Sequence, residues 1–172
     1  MNGGITRRFE LYHRAETSAF LEIYDDVGKH IGNTTLEYFV YDNKKQLKQY
    51  AKTLHKCIKK ALLGAIKKAP EKGCIAYIGL IELDYRERGK GYGTQVLTET
   101  PALCIKYLQQ QPDVVCAYIL PNSARVDLEY YQNQPMSQIE YLKMCRIMMK
   151  TFHKAGFAYT GNPHVMVKEV HA

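Results

Sequence analysis

The sequence predicts an α+β fold, in which strands and helices alternate along a chain of 172 residues. Short apolar runs rich in β-branched and aromatic residues indicate the strands. Longer segments with apolar residues at every third or fourth position indicate amphipathic helices. The length suits one compact unit, and the composition, 46% hydrophobic and 24% charged, is that of a globular protein. We therefore expect residues 1–172 to form one domain.

The first part of the chain is predicted to be β structure that leads into a helix. Residues 7–41 are rich in β-forming side chains, and the polar stretch at residues 25–28 predicts a hairpin turn. Asp42 or Asn43 is suited to cap a long amphipathic helix, and Pro70 is suited to end it.

The positive charge of the chain is concentrated in this helical segment. The whole protein carries a net charge of +7, whereas residues 44–72 contain ten lysines and one acid. This basic segment therefore carries +9, which leaves −2 for the rest of the chain. A charge run of this kind is usually a solvated face, but it also suits nucleic acid or an acidic protein as a partner.

The second half of the chain is predicted to alternate strands and helices. Residues 74–83 are almost continuously apolar, which indicates a central strand buried on both faces, and residues 114–120 indicate another. Helices are predicted over residues 94–109 and from the capping box of Ser137 and Glu140 to Gly156, followed by a closing hairpin at residues 157–170.

Simple features of the sequence argue against several classes of protein. The five cysteines are odd in number and widely spaced, which favours reduced, partly buried thiols over disulfides. The histidines form no ligand pair, so we expect no metal. The longest uncharged apolar run, residues 73–81, is too short to span a bilayer, and no signal peptide is recognisable. These features predict a cytoplasmic protein without a membrane partner.

A glycine-rich segment lies between the first central strand and the helix that follows it. Its sequence is Arg88-Gly-Lys-Gly-Tyr-Gly93, which has the pattern R-x-x-G-x-G. P-loops and dinucleotide-binding loops need other glycine spacings. Consecutive backbone N–H groups at a helix N-terminus bind phosphate, and glycine lets a ligand approach the main chain closely. The segment therefore predicts a phosphate-bearing ligand.

Together with the strand before it, this segment strongly resembles the acyl-coenzyme A binding motif of the GNAT superfamily of N-acetyltransferases. Two further matches occur in the same order along the chain: Asn122 follows the second central strand, and Lys154-Ala-Gly-Phe157 follows the last helix. The resemblance implies a GNAT-like fold, with a central mixed, mostly antiparallel twisted sheet of about six or seven strands flanked by helices. The basic segment would add a lysine-rich helix before the coenzyme-binding strand.

The resemblance also implies a reaction and a binding loop. Acetyl-coenzyme A would be the co-substrate, and a primary amine on a small molecule, peptide or protein would attack its thioester directly in a ternary complex. Main-chain groups near Glu82 would pair with the pantetheine arm, and a main-chain N–H near Leu83 would polarise the thioester carbonyl. The cofactor-binding residues implied in this way are Leu83, Asp84, Arg88, Gly89, Lys90, Gly91, Tyr92, Gly93, Thr94 and Asn122.

The resemblance is incomplete at the residues that would move protons. In many members of the superfamily a tyrosine donates to the leaving thiolate, but Phe152 stands at that place here. Tyr130 and Tyr131 are the candidate donors, with packing as the alternative role. Glu82 is the acid nearest the expected thioester and the candidate base, because burial in an apolar strand would raise its pKa. Asp84 is the second candidate, and an ion pair at the sheet edge is the alternative for Glu82.

Two other features bear on the acceptor and on the alternative function. Strand alternation predicts that Tyr77 faces the same way as Leu83 and lines the acceptor pocket. Residues 123–136 are predicted to form either a surface loop or a lid over that pocket. The alternative function is a catalytically weak or inactive coenzyme-binding module that binds nucleic acid or an acidic protein through residues 44–72. The sequence leaves a homodimer open.

Overall fold

Seven β-strands form one sheet in the computed structural model of the protein, which describes residues 8–120 and 135–171, with the backbone alone at Arg8. The order across the sheet is β1-β2-β3-β4-β5-β7-β6. Among these strands, β4 and β5 are parallel and every other neighbouring pair is antiparallel. The predicted fold class is confirmed. The strands are β1 (Arg8–Arg14), β2 (Ser18–Tyr24), β3 (His30–Tyr41), β4 (Gly73–Leu83), β5 (Val114–Tyr118), β6 (Ala158–Tyr159) and β7 (Val165–Glu169).

Four α-helices accompany the sheet within the described residues. They are α1 (Lys44–Ala51), α2 (Lys56–Ile66), α3 (Tyr92–Leu103) and α4 (Gln138–Lys154). The predicted capping box of Ser137 and Glu140 starts α4, and Gly156 follows its end with a left-handed φ of 88°. In the described part of the chain, none of the helices combines the length and the apolar character needed to cross a membrane.

The basic segment forms two helices rather than the single helix that the sequence predicts. The chain leaves α1 at Lys52, and α2 begins after His55, whose ring accepts a hydrogen bond from the Cys57 N–H at 3.4 Å. Between them, the Thr53 hydroxyl donates to the Tyr50 carbonyl at 2.7 Å, a local bond that competes with helix continuation. The prediction of one helix was wrong because periodicity does not reveal such a break.

The two faces of the sheet are covered by different helices. Leu47 of α1 and Leu62 of α2 pack with Ile75 of β4 on what we call the α1–α2 face. Leu97 of α3 and Phe152 of α4 pack on the opposite side, the α3–α4 face. The sheet is therefore the middle layer between two hydrophobic cores.

Strand β4 changes character half-way along its length. Residues 74–78 are buried between β3 and the parallel strand β5, which pairs with residues 75–78. Residues 79–83 pair with β3 but with no other described strand, and Gly79 and Glu82 are exposed. The prediction of burial on both faces is confirmed for the first half of β4 and is wrong for the second.

A β-bulge at Gly79 separates the two halves. Thr35 pairs with Leu80 and Leu36 with Ile78, so Gly79 is the extra residue. A Cβ at Gly79 would lie 2.7 Å from the Thr35 Oγ1, which explains the glycine.

The bulge reverses the side-chain alternation of β4. Ala76 and Ile78 belong to the core of the α3–α4 face, and Ile81 and Leu83 pack against that same core. Tyr77 instead packs on the α1–α2 face. The prediction that Tyr77 and Leu83 share a face was therefore wrong, because regular alternation fails at an inserted residue.

Candidate functional site

The loop between β4 and α3 exposes a row of main-chain N–H groups. Gly89 and Gly91 have left-handed φ values of 76° and 86°, and a Cβ built on either would meet nothing within 4 Å. Gly91 caps α3, whose first turn contains no acidic residue. The N–H groups of Gly89, Lys90, Gly91, Gly93 and Thr94 donate to no residue that the structure describes. This arrangement can bind an anion through the main chain.

Arg88 closes this loop onto the end of β4. Its Nε donates to the Leu83 carbonyl at 3.0 Å, and its guanidinium lies 6.0 Å from the centre of the Tyr85 ring. The Asp84 N–H donates to the Ile31 carbonyl at 2.9 Å. The Leu83 carbonyl and the Asp84 N–H are thus occupied within the protein, which leaves the main-chain groups of the residues before them on β4 for the predicted pairing with a pantetheine arm.

Glu87 fastens the loop to the turn between β2 and β3, a role that the sequence analysis missed. The residue is only 5% exposed, and its carboxylate accepts hydrogen bonds from Lys29 at 2.5 Å and from Lys90 at 2.9 Å. These bonds lower the pKa of Glu87, and the bond to Glu87 raises the pKa of Lys29. Lys29 lies 58 positions away in sequence, so no local pattern could have revealed the pair.

The strands β4 and β5 separate next to this loop. Their pairing ends at Ile78 and Ala117, after which the Ile119 N–H donates to the His164 carbonyl at 2.7 Å, on the side away from β4. No described strand pairs with the edge of residues 79–83 that faces β5, where Arg88 bonds to the Leu83 carbonyl. Such an edge can pair with an extended ligand through main-chain hydrogen bonds.

The start of α3 fits closely against α4. Tyr92 is buried in the core of the α3–α4 face, and a Cβ at Gly93 would lie 3.5 Å from the Thr151 Cγ2. The Gln95 Oε1 is buried without a hydrogen-bond partner among the described residues. A buried acceptor of this kind is satisfied when a ligand donates to it. The N–H groups of the loop and of the first turn of α3 fit a pyrophosphate, which accepts hydrogen bonds, whereas the Gln95 Oε1 needs a donor from another part of a ligand.

The structure describes only some of the residues considered for proton transfer. Glu82 lies opposite Asn33 of β3 and is exposed, contrary to the expectation that it is buried in an apolar strand. Phe152 is a core residue whose ring packs edge-on against Phe157 at 5.1 Å between centres. The remaining site residues predicted from sequence, Asn122, Tyr130 and Tyr131, lie outside the described residues, as does most of the predicted lid at residues 123–136.

The cysteines behave as packing residues. All five are free thiols, and all except Cys57 are buried, as predicted. Burial raises the pKa of Cys74 to about 11 and that of Cys104 to about 12, which keeps both protonated at neutral pH. Across residues 8–120 and 135–171, no three His, Cys, Asp or Glu side chains are grouped to hold a metal ion.

A second polar cluster, on the α1–α2 face, was also missed by the sequence analysis. Glu37 of β3 lies opposite Tyr77 of β4, which lies opposite Cys116 of β5. Two signals were available in the sequence. Glu37 is the acid within an otherwise β-forming run, and a glycine inside a strand pattern, here Gly79, suggests a bulge.

No protein-family model matches the chain, and no curated protein matches its sequence. A solved protein assigned as a phosphinothricin N-acetyltransferase superposes with a TM-score of 0.48 at 16% identity, over 93% of this chain and 72% of that one. An aminoglycoside acetyltransferase bound to coenzyme A and kanamycin gives 0.46 at 15% identity, over 90% and 67%. A dodecameric spermidine N-acetyltransferase from Vibrio cholerae gives 0.44 at 10% identity, over 89% and 65%. The substrates named belong to those proteins.

Proposed function

We propose that the protein is an N-acetyltransferase of the GNAT type, formed by one domain, that transfers an acetyl group from acetyl-coenzyme A to a primary amine. The observation that carries this proposal is the loop before α3. Two left-handed glycines open it, and five of its N–H groups are free of described partners. The resemblance of residues 88–93 to the coenzyme-binding motif supports the same ligand.

The loop is suited to the pyrophosphate of the coenzyme rather than to a single charged side-chain contact. Lys90 is already engaged by Glu87, and Arg88 by the Leu83 carbonyl. The main chain at the start of α3 therefore supplies most of the attraction, aided by the positive end of the helix dipole. The free edge of β4 leads away from this point and would bind the extended arm of the coenzyme.

The proposed transfer needs no nucleophilic side chain. The amine nitrogen attacks the thioester carbonyl carbon, a C–N bond forms and the C–S bond breaks. A main-chain N–H on the free edge of β4 toward its Gly79 end, rather than the one near Leu83 that the resemblance implies, would hold the carbonyl oxygen as charge develops on it. The buried cysteines, which remain thiols, agree with direct transfer. Tyr130 and Tyr131 remain the predicted proton donors to the departing sulfur, and Asn122 a predicted coenzyme contact.

The test compares the coenzyme A affinity of the variant Gly91→Glu with that of a control variant, Gly28→Glu. Gly91→Glu places a carboxylate in the loop, and we expect coenzyme A to bind at least ~100-fold more weakly, about 2.7 kcal/mol by calorimetry. Gly28→Glu is the matched control, because Gly28 has a φ of 82° and equally open surroundings but lies in the β2–β3 turn. Equal affinities of the two variants, or no binding by the wild type, would contradict the proposal.

A second candidate function, binding of nucleic acid by the basic segment, is favoured by one observation. Of its ten lysines, only Lys72 forms an ion pair with a residue that the structure describes, Asp42 at 3.0 Å. Most of the others are exposed on α1, α2 and their flanks: Lys45, Lys48, Lys52, Lys56, Lys67 and Lys68. A surface of uncompensated lysines attracts phosphate backbones.

Fluorescence anisotropy with labelled tRNA and duplex DNA tests this second function. Binding should weaken steeply between 50 and 200 mM salt. The double variant Lys45→Gln/Lys48→Gln should bind more weakly than Lys143→Gln/Lys150→Gln, which removes the same charge from exposed positions on α4. Salt-insensitive binding, or equal losses in the two variants, would exclude a specific role for the basic segment.

A further inference from the structure

Five titratable side chains gather on the α1–α2 face where β4 and β5 separate. Glu37, Tyr77 and Cys116 follow one another across β3, β4 and β5. Cys57, in the first turn of α2, lies close enough to influence the titration of Tyr77 and of Tyr118. The cluster lies on the opposite face of the sheet from α3.

Two members of this cluster lack partners within the protein. Tyr77 is 6% exposed, and its hydroxyl forms no hydrogen bond with any residue that the structure describes. Glu37 is half-buried, and its carboxylate has neither an ion pair nor a hydrogen bond among the described residues. Among the described residues the fully buried orphaned polar atom is the Gln95 Oε1, so the Tyr77 hydroxyl and the Glu37 carboxylate keep contact with solvent. A tyrosine and a carboxylate that lie side by side, uncommitted within the protein and accessible, favour a binding role.

The position of Tyr77 and Glu37 relative to the free edge of β4 indicates which part of the coenzyme would lie near them. The edge begins beside the α3 loop at Leu83 and ends at Gly79, two residues beyond Tyr77. A coenzyme with its phosphates on the loop would therefore carry its acyl end toward Tyr77 and Glu37. Glu82 lies roughly 15 Å along the strand from Tyr77, near the phosphate end.

We propose that Glu37, rather than Glu82, is the carboxylate that receives the ammonium group of the acceptor and takes a proton from it. This inference rests on the proposed function. Once the ammonium has lost a proton, its nitrogen forms the C–N bond while the C–S bond breaks. The product amide keeps one of the three ammonium protons, the thiolate takes one, and the third passes through Glu37 to solvent.

The surroundings of Glu37 suit this exchange. It faces Ser18 of β2 and Tyr77 of β4, with Thr35 and Phe39 beside it on β3 and Tyr50 of α1 against the Phe39 ring. No lysine or arginine shifts the titration of Glu37, and burial alone raises its pKa toward the range of an effective proton acceptor. Burial, followed by nearby Cys116, Cys57 and Glu37, raises the pKa of Tyr77, which stays a donor.

The test compares three glutamine substitutions in acetyl transfer from acetyl-coenzyme A to butylamine, cadaverine and tyramine between pH 5 and 9. We expect Glu37→Gln to lower kcat/KM at least tenfold, to abolish the acidic limb of the pH profile and to leave the affinity for coenzyme A unchanged. Glu169→Gln, an exposed carboxylate on β7, is the matched control. If Glu82→Gln loses activity and Glu37→Gln keeps it, the inference is overturned in favour of Glu82.

A second measurement does not depend on turnover. In protein labelled with ¹³C at the glutamate carboxyls, the Glu37 resonance is identified by its absence from Glu37→Gln. Butylamine should shift this signal, with or without coenzyme A, and no shift would overturn the inference. Failure of the proposed function gives a different result, since the wild-type protein would then not bind coenzyme A in calorimetry.

Discussion

The two halves of β4 are continuous in sequence and in hydrogen bonding to β3, yet they have different roles. Residues 74–78 are enclosed by neighbours on both sides and form part of both cores. Residues 79–83 keep only β3 as a described strand neighbour and lead into the loop that we propose binds the coenzyme. One strand thus anchors the fold at one end and has an edge without a described strand neighbour at the other.

Two local features produce this difference. The parallel partner β5 is short, so its pairing with β4 stops at Ile78. The bulge at Gly79 then exchanges the faces of the remaining side chains, which directs Ile81 and Leu83 toward α3 and α4. A substitution in one half of β4 should therefore change the stability of the protein by a different amount from a similar substitution in the other half.

The largest expected effect comes from truncating a side chain in each half. Ile75→Ala should destabilise the protein by about 3–4 kcal/mol, because Ile75 is fully buried and a cavity would remain. Leu80→Ala should cost less than about 1.5 kcal/mol, because Leu80 is only partly buried beyond the bulge. Urea denaturation measures both. Equal losses would show that the two halves do not differ in packing.

A smaller effect is expected from filling the bulge. Gly79→Ala should cost about 1–3 kcal/mol, because the new Cβ would lie 2.7 Å from the Thr35 Oγ1. In a Thr35→Ala background the same substitution should cost less, which gives a coupling energy of about 0.5 kcal/mol or more in a double-mutant cycle. Additive losses would mean that the close contact is not the reason for the glycine.

The smallest effect is expected from the attachment of the loop that follows β4 to the β2–β3 turn. Lys29 and Lys90 lower the pKa of Glu87, so its contribution to stability is present above the unfolded-state pKa near 4.5 and is lost as the pH falls through the folded-state value. Glu87→Gln should therefore flatten the acid side of the stability–pH curve. Thermal unfolding between pH 3 and 7 measures this, with Glu169→Gln as the exposed control. Parallel curves for Glu87→Gln and the wild type would contradict it.

Local patterns in the sequence were sufficient where the structure depends on neighbouring residues. The capping box at Ser137 and the left-handed Gly156 were predicted because helix ends are specified within a few positions. The position of the glycine-bearing loop between a strand and a helix was predicted for the same reason, and its binding of an anion stays a prediction. Its spacing of glycines next to a strand and a helix is a local property.

Most of the features that were not predicted from the sequence depend on contacts between distant segments of the chain. The ion pair of Glu87 with Lys29 and the approach of Gly79 to Thr35 join residues far apart in sequence. The break between α1 and α2 lies in an unbroken periodic pattern, so periodicity predicted one helix. The placement of Tyr77 failed through a single inserted residue, which reverses every later side chain of the strand.

The parallel pairing of β4 with β5 also has a consequence for the order of folding. Ile75 and Val114 lie 39 positions apart, whereas β2 and β3 are joined by a turn of a few residues. Closing the longer loop, between β4 and β5, costs roughly 2 kcal/mol more chain entropy. We therefore expect the hairpins β1–β2 and β2–β3 to form early and the β4–β5 contact to form late. The region proposed to bind the coenzyme would then be assembled at the end of folding, and a ligand bound there would stabilise the contact that forms last.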